Sequence, residues 1–94
     1  SFSTPELKIE LAEGEQHAFI EKFVAKASFE GARINTIDGI RADWSYGWGL
    51  VRASNTTPVL VLRFEAESEQ QLTFIKNQFR EQMLAMQADL RLPF

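Results

Sequence analysis

Residues 47–64 read Gly47-Trp48-Gly49-Leu50-Val51-Arg52-Ala53-Ser54-Asn55-Thr56-Thr57-Pro58-Val59-Leu60-Val61-Leu62-Arg63-Phe64. Two apolar, β-prone runs flank a short polar segment, a pattern that predicts two strands joined by a turn. Ser54, Asn55 and Thr56 are of the types whose short side chains fold back onto the local backbone. Such a bend leaves N–H groups pointing outward as a concave array of donors. Arg52 beside it offers a planar two-point fork, so a tetrahedral anion such as phosphate is the ligand that best fits the set. The same residues also make an ordinary hairpin connection with an arginine at a strand end.

Outward from this stretch, Val59, Leu60, Val61 and Leu62 are apolar on both faces of their strand. A one-sided antiparallel sheet would alternate, so this strand is expected to be central and covered twice, or to meet another domain. Arg63 and Glu65 restore the alternation toward solvent or an interdomain cleft. Upstream, residues 32–37 and 40–44 read as short strands split by Asp38-Gly39, a hairpin signal with positive φ expected at both central positions. That reading makes Asp38 a turn residue, not a catalytic carboxylate. Ser45-Tyr46-Gly47 turns the chain again. Trp44, Tyr46 and Trp48 gather around that turn, where packing at the end of the sheet is preferred over stacking on a sugar or base.

At the amino end, Leu7, Ile9 and Leu11 alternate with Lys8 and Glu10, a half-buried strand. Gly14 suits an N-cap and Glu15 the positive end of a helix. From Glu15 to about Ser28, Phe19, Phe23 and Ala27 recur at four-residue steps, with Ile20 and Val24 widening the stripe and Gly31 as a stop. His17 near the start reads as a solvated surface histidine. Downstream, Ser68-Glu69-Gln70-Gln71 is a capping-box pattern. It opens a helix to about Met86 with Leu72, Ile75, Phe79, Met83 and Met86 on one stripe and Lys76 and Arg80 on a solvated edge. The order is strand, helix, four strands, helix: α+β, an antiparallel sheet with two helices.

Ninety-four residues, 45% of them hydrophobic, make one domain with a modest core. There is no cysteine and a single histidine, hence no disulfide framework and no thiolate site. A reducing, cytoplasmic compartment is expected. The net charge of −3 argues against nonspecific binding to nucleic acid or to an anionic membrane. The chain opens on Ser1 with no methionine, as expected of a piece of something larger.

The run Asp38-Gly39-Ile40-Arg41, followed by the string from Gly47 to Pro58, resembles the C-terminal domain of the α-D-phosphohexomutases, most closely their bacterial phosphomannomutase/phosphoglucomutase branch. The resemblance covers nearly the whole chain, including the closing Leu92-Pro93-Phe94. It implies a TATA-binding-protein-like two-layer sandwich, the fourth domain of a multidomain enzyme. It also implies that Arg52, Ser54, Asn55 and Thr56 bind the substrate phosphate that is not reacting, with Arg52 as the fork and the others as hydroxyl, amide or backbone donors. Thr57 and Pro58 are structural. The departures from the family pattern at Trp44-Ser45-Tyr46 lie outside this clamp.

The implied enzyme interconverts the 1-phosphate and 6-phosphate of glucose or mannose through a 1,6-bisphosphate. Three features of the family are missing here: the serine loop that carries the phosphoryl group, an Asp-x-Asp-x-Asp run for Mg²⁺, and the sugar-specificity loop. No catalytic residue and no cofactor are therefore expected in this chain, and Mg²⁺ is expected in the domains beyond it. Its partners would be the hexose phosphate and those other domains. Two other readings are a mutase with amino-sugar preference, and a non-catalytic module binding nucleic acid or protein.

Overall fold

The computed structural model describes all residues, Ser1–Phe94. Its elements are β1 (Phe2–Ser3), β2 (Leu7–Glu10), α1 (Glu15–Lys26), β3 (Arg33–Asn35), β4 (Ile40–Trp44), β5 (Gly47–Ala53), β6 (Val59–Ala66) and α2 (Glu69–Met86). The strands form one antiparallel sheet in the order β1-β6-β5-β4-β3, with β2 sharing the outer edge of β6 with β1. Strand β1 adds one element to the order read from sequence. It and β2 are two halves of one edge strand, interrupted where Pro5 lacks an N–H for the ladder. Thr4 bridges the gap by donating its N–H to the Phe64 carbonyl at 2.9 Å and accepting the Phe64 N–H on Oγ1 at 3.2 Å.

Both helices pack on one face of the sheet. Ile40, Ala42 and Trp44 from β4, Val51 from β5, Leu60, Leu62, Phe64 and Ala66 from β6, and Ile9 from β2 point into that layer. Phe19 and Phe23 of α1 and Ile75, Phe79 and Met83 of α2 meet them there. Gly49 lets the layers approach, since a Cβ on it would fall 2.5 Å from Cε1 of Phe79. The tail closes the open end, with Leu90 buried and Phe94 at 5.1 Å from the Phe64 ring.

Strand β6 is central in the strand order, but its second face carries no helix, so the expectation of a strand covered twice is corrected. Val61 is only 6% exposed, yet it lies on the side away from the helices. It stands in register between Arg52 of β5 and Lys8 of β2, whose aliphatic stems flank it.

Three local expectations need correction. Helix α1 ends at Lys26 with Ala27 as C-cap, not at Gly31, which instead takes a positive φ in the following turn. The β3–β4 connection spans residues 36–39, with positive φ at Gly39 and at no non-glycine residue, so Asp38 keeps an ordinary backbone. The Asn35 carboxamide caps that turn by accepting the Ile37 N–H at 2.9 Å. Lastly, Lys76 and Arg80 are half-buried, and Arg80 lies over the Phe94 ring at 5.5 Å.

Candidate functional site

Arg52 is the penultimate residue of β5, on the sheet face that no helix covers. It is half-exposed, and its guanidinium makes no hydrogen bond or ion pair with any other residue. Arg41, one strand away, behaves differently. Its guanidinium makes three bonds of 3.0–3.2 Å to the Asp43 carboxylate and lies over the Trp48 ring at 4.3 Å. One guanidinium is occupied and the other is available. The Arg52 backbone is held from behind by Gly39, where a Cβ would meet the Val51 carbonyl oxygen and come within 2.7 Å of the Arg52 Cα.

The bend after β5 organises itself around the Ser54 hydroxyl. Its Oγ accepts the N–H groups of Thr56 and Thr57 and the Thr57 hydroxyl, each at 3.2 Å, and lies 3.3 Å from Thr56 Oγ1. The Ser54 N–H is taken by the Val59 carbonyl at 3.0 Å. The expectation of outward-pointing amides is therefore corrected for Thr56 and Thr57, which turn inward onto Ser54. What stays free is the Asn55 backbone N–H, the Asn55 carboxamide, one hydroxyl hydrogen of the Ser54–Thr56 pair, and Arg52. Asn55, Thr56 and Thr57 are exposed, and a polar hollow beside them is lined by Glu13, Gly14, Gln16, Asn55, Thr56, Thr57 and Pro58.

Two residues of this site went unread in the sequence. Gly39 was legible only as a turn former. Gln16 donates from Nε2 to the Ser54 and Thr57 carbonyls, 3.2 Å each, across 38 and 41 positions of sequence. A signal for Gln16 did exist: it falls three, four and seven residues before Phe19, Ile20 and Phe23, a polar residue on an apolar stripe.

The aromatic trio divides. Trp44 packs inward against Phe29 and donates its indole N–H to the Glu30 carbonyl at 3.0 Å, while Trp48 lies on the opposite face of the sheet. Tyr46 stacks on Trp44, and burial pushes its phenol above the ordinary value, so it stays neutral. His17 is exposed. No group of three histidine, aspartate or glutamate side chains converges, so these residues do not fit a Mg²⁺ site.

The family described as phosphoglucomutase/phosphomannomutase, C-terminal domain, matches residues 6–82. The chain belongs to that family. It is 51% identical over 92 residues to the phosphomannomutase/phosphoglucomutase of Pseudomonas aeruginosa, covering 98% of this chain and 20% of that protein. It is 56% identical over 82 residues to the phosphoglucomutase of Neisseria meningitidis serogroup B, covering 85% of this chain and 18% of the other. A crystal structure of a phosphoglucomutase/phosphomannomutase family protein from Burkholderia thailandensis superposes with a TM-score of 0.88 at 44% identity, over 100% of this chain and 19% of that one. The chain thus spans about a fifth of the length of these relatives. The α+β fold expected from sequence is the fold of a phosphoglucomutase/phosphomannomutase C-terminal domain. None of its helices is long and apolar enough to cross a membrane.

Proposed function

We propose that this chain grips the non-reacting phosphate of a hexose phosphate within a phosphomannomutase/phosphoglucomutase that interconverts the 1- and 6-phosphates. The observation that carries the reading is the contrast between the two arginines: Arg41 is paired with Asp43, and Arg52 stands unpaired beside a bend already locked by Ser54. Arg52 supplies the two-point fork, Asn55 its backbone and carboxamide N–H groups, and Ser54 or Thr56 a hydroxyl. Such a clamp recognises phosphate and ignores the sugar. That suits a bisphosphate that must present either end to the chemistry. The reacting groups, and the Mg²⁺ that neutralises charge in phosphoryl transfer, belong to parts of the enzyme beyond this chain.

Three or four charge-assisted bonds in an open loop, at about 1 kcal/mol net each, give a dissociation constant of about 1 mM or weaker for the chain alone. In the full enzyme the same bonds hold the far end of the substrate and so orient the near end for transfer. Arg52→Ala in the full-length enzyme is expected to lower kcat/KM by a factor equivalent to about 2–4 kcal/mol while leaving the melting temperature unchanged. Wild-type efficiency in that variant rules the clamp out. In the isolated chain, titration with inorganic phosphate is expected to shift backbone amide resonances confined to residues 52–56. Salt-sensitive binding of nucleic acid would favour the module reading instead.

A further inference from the structure

Gln16 is the one polar residue in the buried set, at 7% exposure, on the face of α1 that packs against the sheet. Its Nε2 uses both hydrogens, one on the Ser54 carbonyl and one on the Thr57 carbonyl, so it bridges the two ends of the bend. Rotating the carboxamide by half a turn would set Oε1 against two carbonyl oxygens, so electrostatics fixes the assignment. Oε1 is then buried with no protein donor. What this side chain contributes at its position is therefore the pair of donors that it places on the bend.

We infer that Gln16 is a positioning residue of the phosphate clamp. This rests on the clamp reading above and deepens it. Two effects follow from the geometry. The bridge fixes the separation of the Ser54 and Thr57 carbonyls, so Asn55 and Thr56 are ordered before the ligand arrives and less conformational entropy is lost on binding. In addition, the Ser54 carbonyl and the Asn55 N–H belong to one peptide group. A donor on the carbonyl polarises that group and strengthens the free N–H as a donor to an oxyanion. Ser54 Oγ organises the bend from inside, and Gln16 ties it to a helix from outside.

Gln16→Met in the full-length enzyme keeps the apolar bulk of the side chain and removes both donors. The expected result is a KM for glucose 1-phosphate raised about tenfold with kcat within about twofold of wild type. A role confined to folding would reduce the active fraction, hence kcat, and leave KM alone; that outcome overturns the inference. Arg52→Ala measured alongside separates the two possible failures. If Arg52→Ala is impaired and Gln16→Met keeps its KM, the positioning role falls and the clamp stands. If neither variant changes either constant, the clamp is wrong and the positioning role falls with it.

A measurement on the unaltered, isotope-labelled chain covers the case in which Gln16→Met does not fold. Inorganic phosphate should shift the Gln16 side-chain NH₂ signals together with the Asn55 backbone amide, because the shared peptide group couples them. Asn55 moving while the Gln16 pair stays fixed overturns the inference.

Discussion

Arg41 and Arg52 have the same chemistry and nearly the same setting on the open face of the sheet, yet one hydrogen-bonding partner separates their roles. Asp43 sits two residues along β4 on the same face and pairs with Arg41, whereas the residues beside Arg52 in register are Val61 and, beyond it, Lys8. Gly39 is the second residue on which the site turns. Its φ of +76° disfavours any side chain, and a Cβ would also press on the Val51 carbonyl oxygen and the Arg52 backbone. Gly39→Ala is expected to destabilise the chain by about 2–4 kcal/mol through the sum of left-handed strain and overpacking. Urea denaturation of the isolated chain measures it, and a loss below half a kcal/mol would show that the hairpin relaxes away from β5. That Asp38-Gly39 forms a turn was readable. That its glycine also backs an arginine thirteen residues downstream was not, because pairing of β4 with β5 creates the contact.

Among the elements, α2 was the most legible. The Ser68 cap, the apolar stripe and the end at Met86 are local features, and the structure reproduces them: Ser68 Oγ accepts the Gln71 N–H at 3.1 Å. The return half of the capping box differs, since the Gln71 carboxamide oxygen accepts from the Ser68 hydroxyl at 3.1 Å and not from the Ser68 backbone N–H. Phe79 is where this helix meets the other core aromatics. Its ring lies 4.5 Å from Phe29, 5.3 Å from Phe64 and 6.4 Å from Phe23, directly over Gly49. Phe79→Ala leaves a cavity between the layers and is expected to destabilise by about 3–5 kcal/mol. For a domain of this size that is a large share of the total, so the variant should be substantially unfolded at 37 °C, as circular dichroism on heating will show. A melting temperature within a few degrees of wild type would mean the layers collapse onto the vacated space.

At the scale of the whole molecule, the proposed clamp is open. Asn55, Thr56 and Thr57 are exposed and Arg52 is half-exposed, so every bond to a ligand competes with water. Excluding that water by rotating this domain over the substrate would strengthen each bond. Solution scattering of the full-length enzyme is expected to show a smaller radius of gyration with glucose 1-phosphate than without. Identical dimensions in the two states would count against closure. The apolar run at residues 59–62 lies in the middle of the sheet, where Val61 is 6% exposed within this chain. Ile37 does remain 91% exposed at the tip of the β3–β4 turn.

The local grammar of the chain determined its elements. Apolar β-prone runs between turn residues marked the strands other than β1, helical spacing marked the two helices, and the string from Gly47 to Pro58 carried the family resemblance and with it the proposal of a phosphate clamp. Those signals act over a few residues, where backbone preference and side-chain period are set by covalent neighbours. The tertiary structure decided what each donor is doing. Whether a guanidinium is paired, whether an amide turns inward, and which helix residue reaches a loop 38 positions away depend on strand register and layer contact. Neither is encoded at short range, because hydrogen bonds are satisfied by whatever the fold brings within about 3 Å.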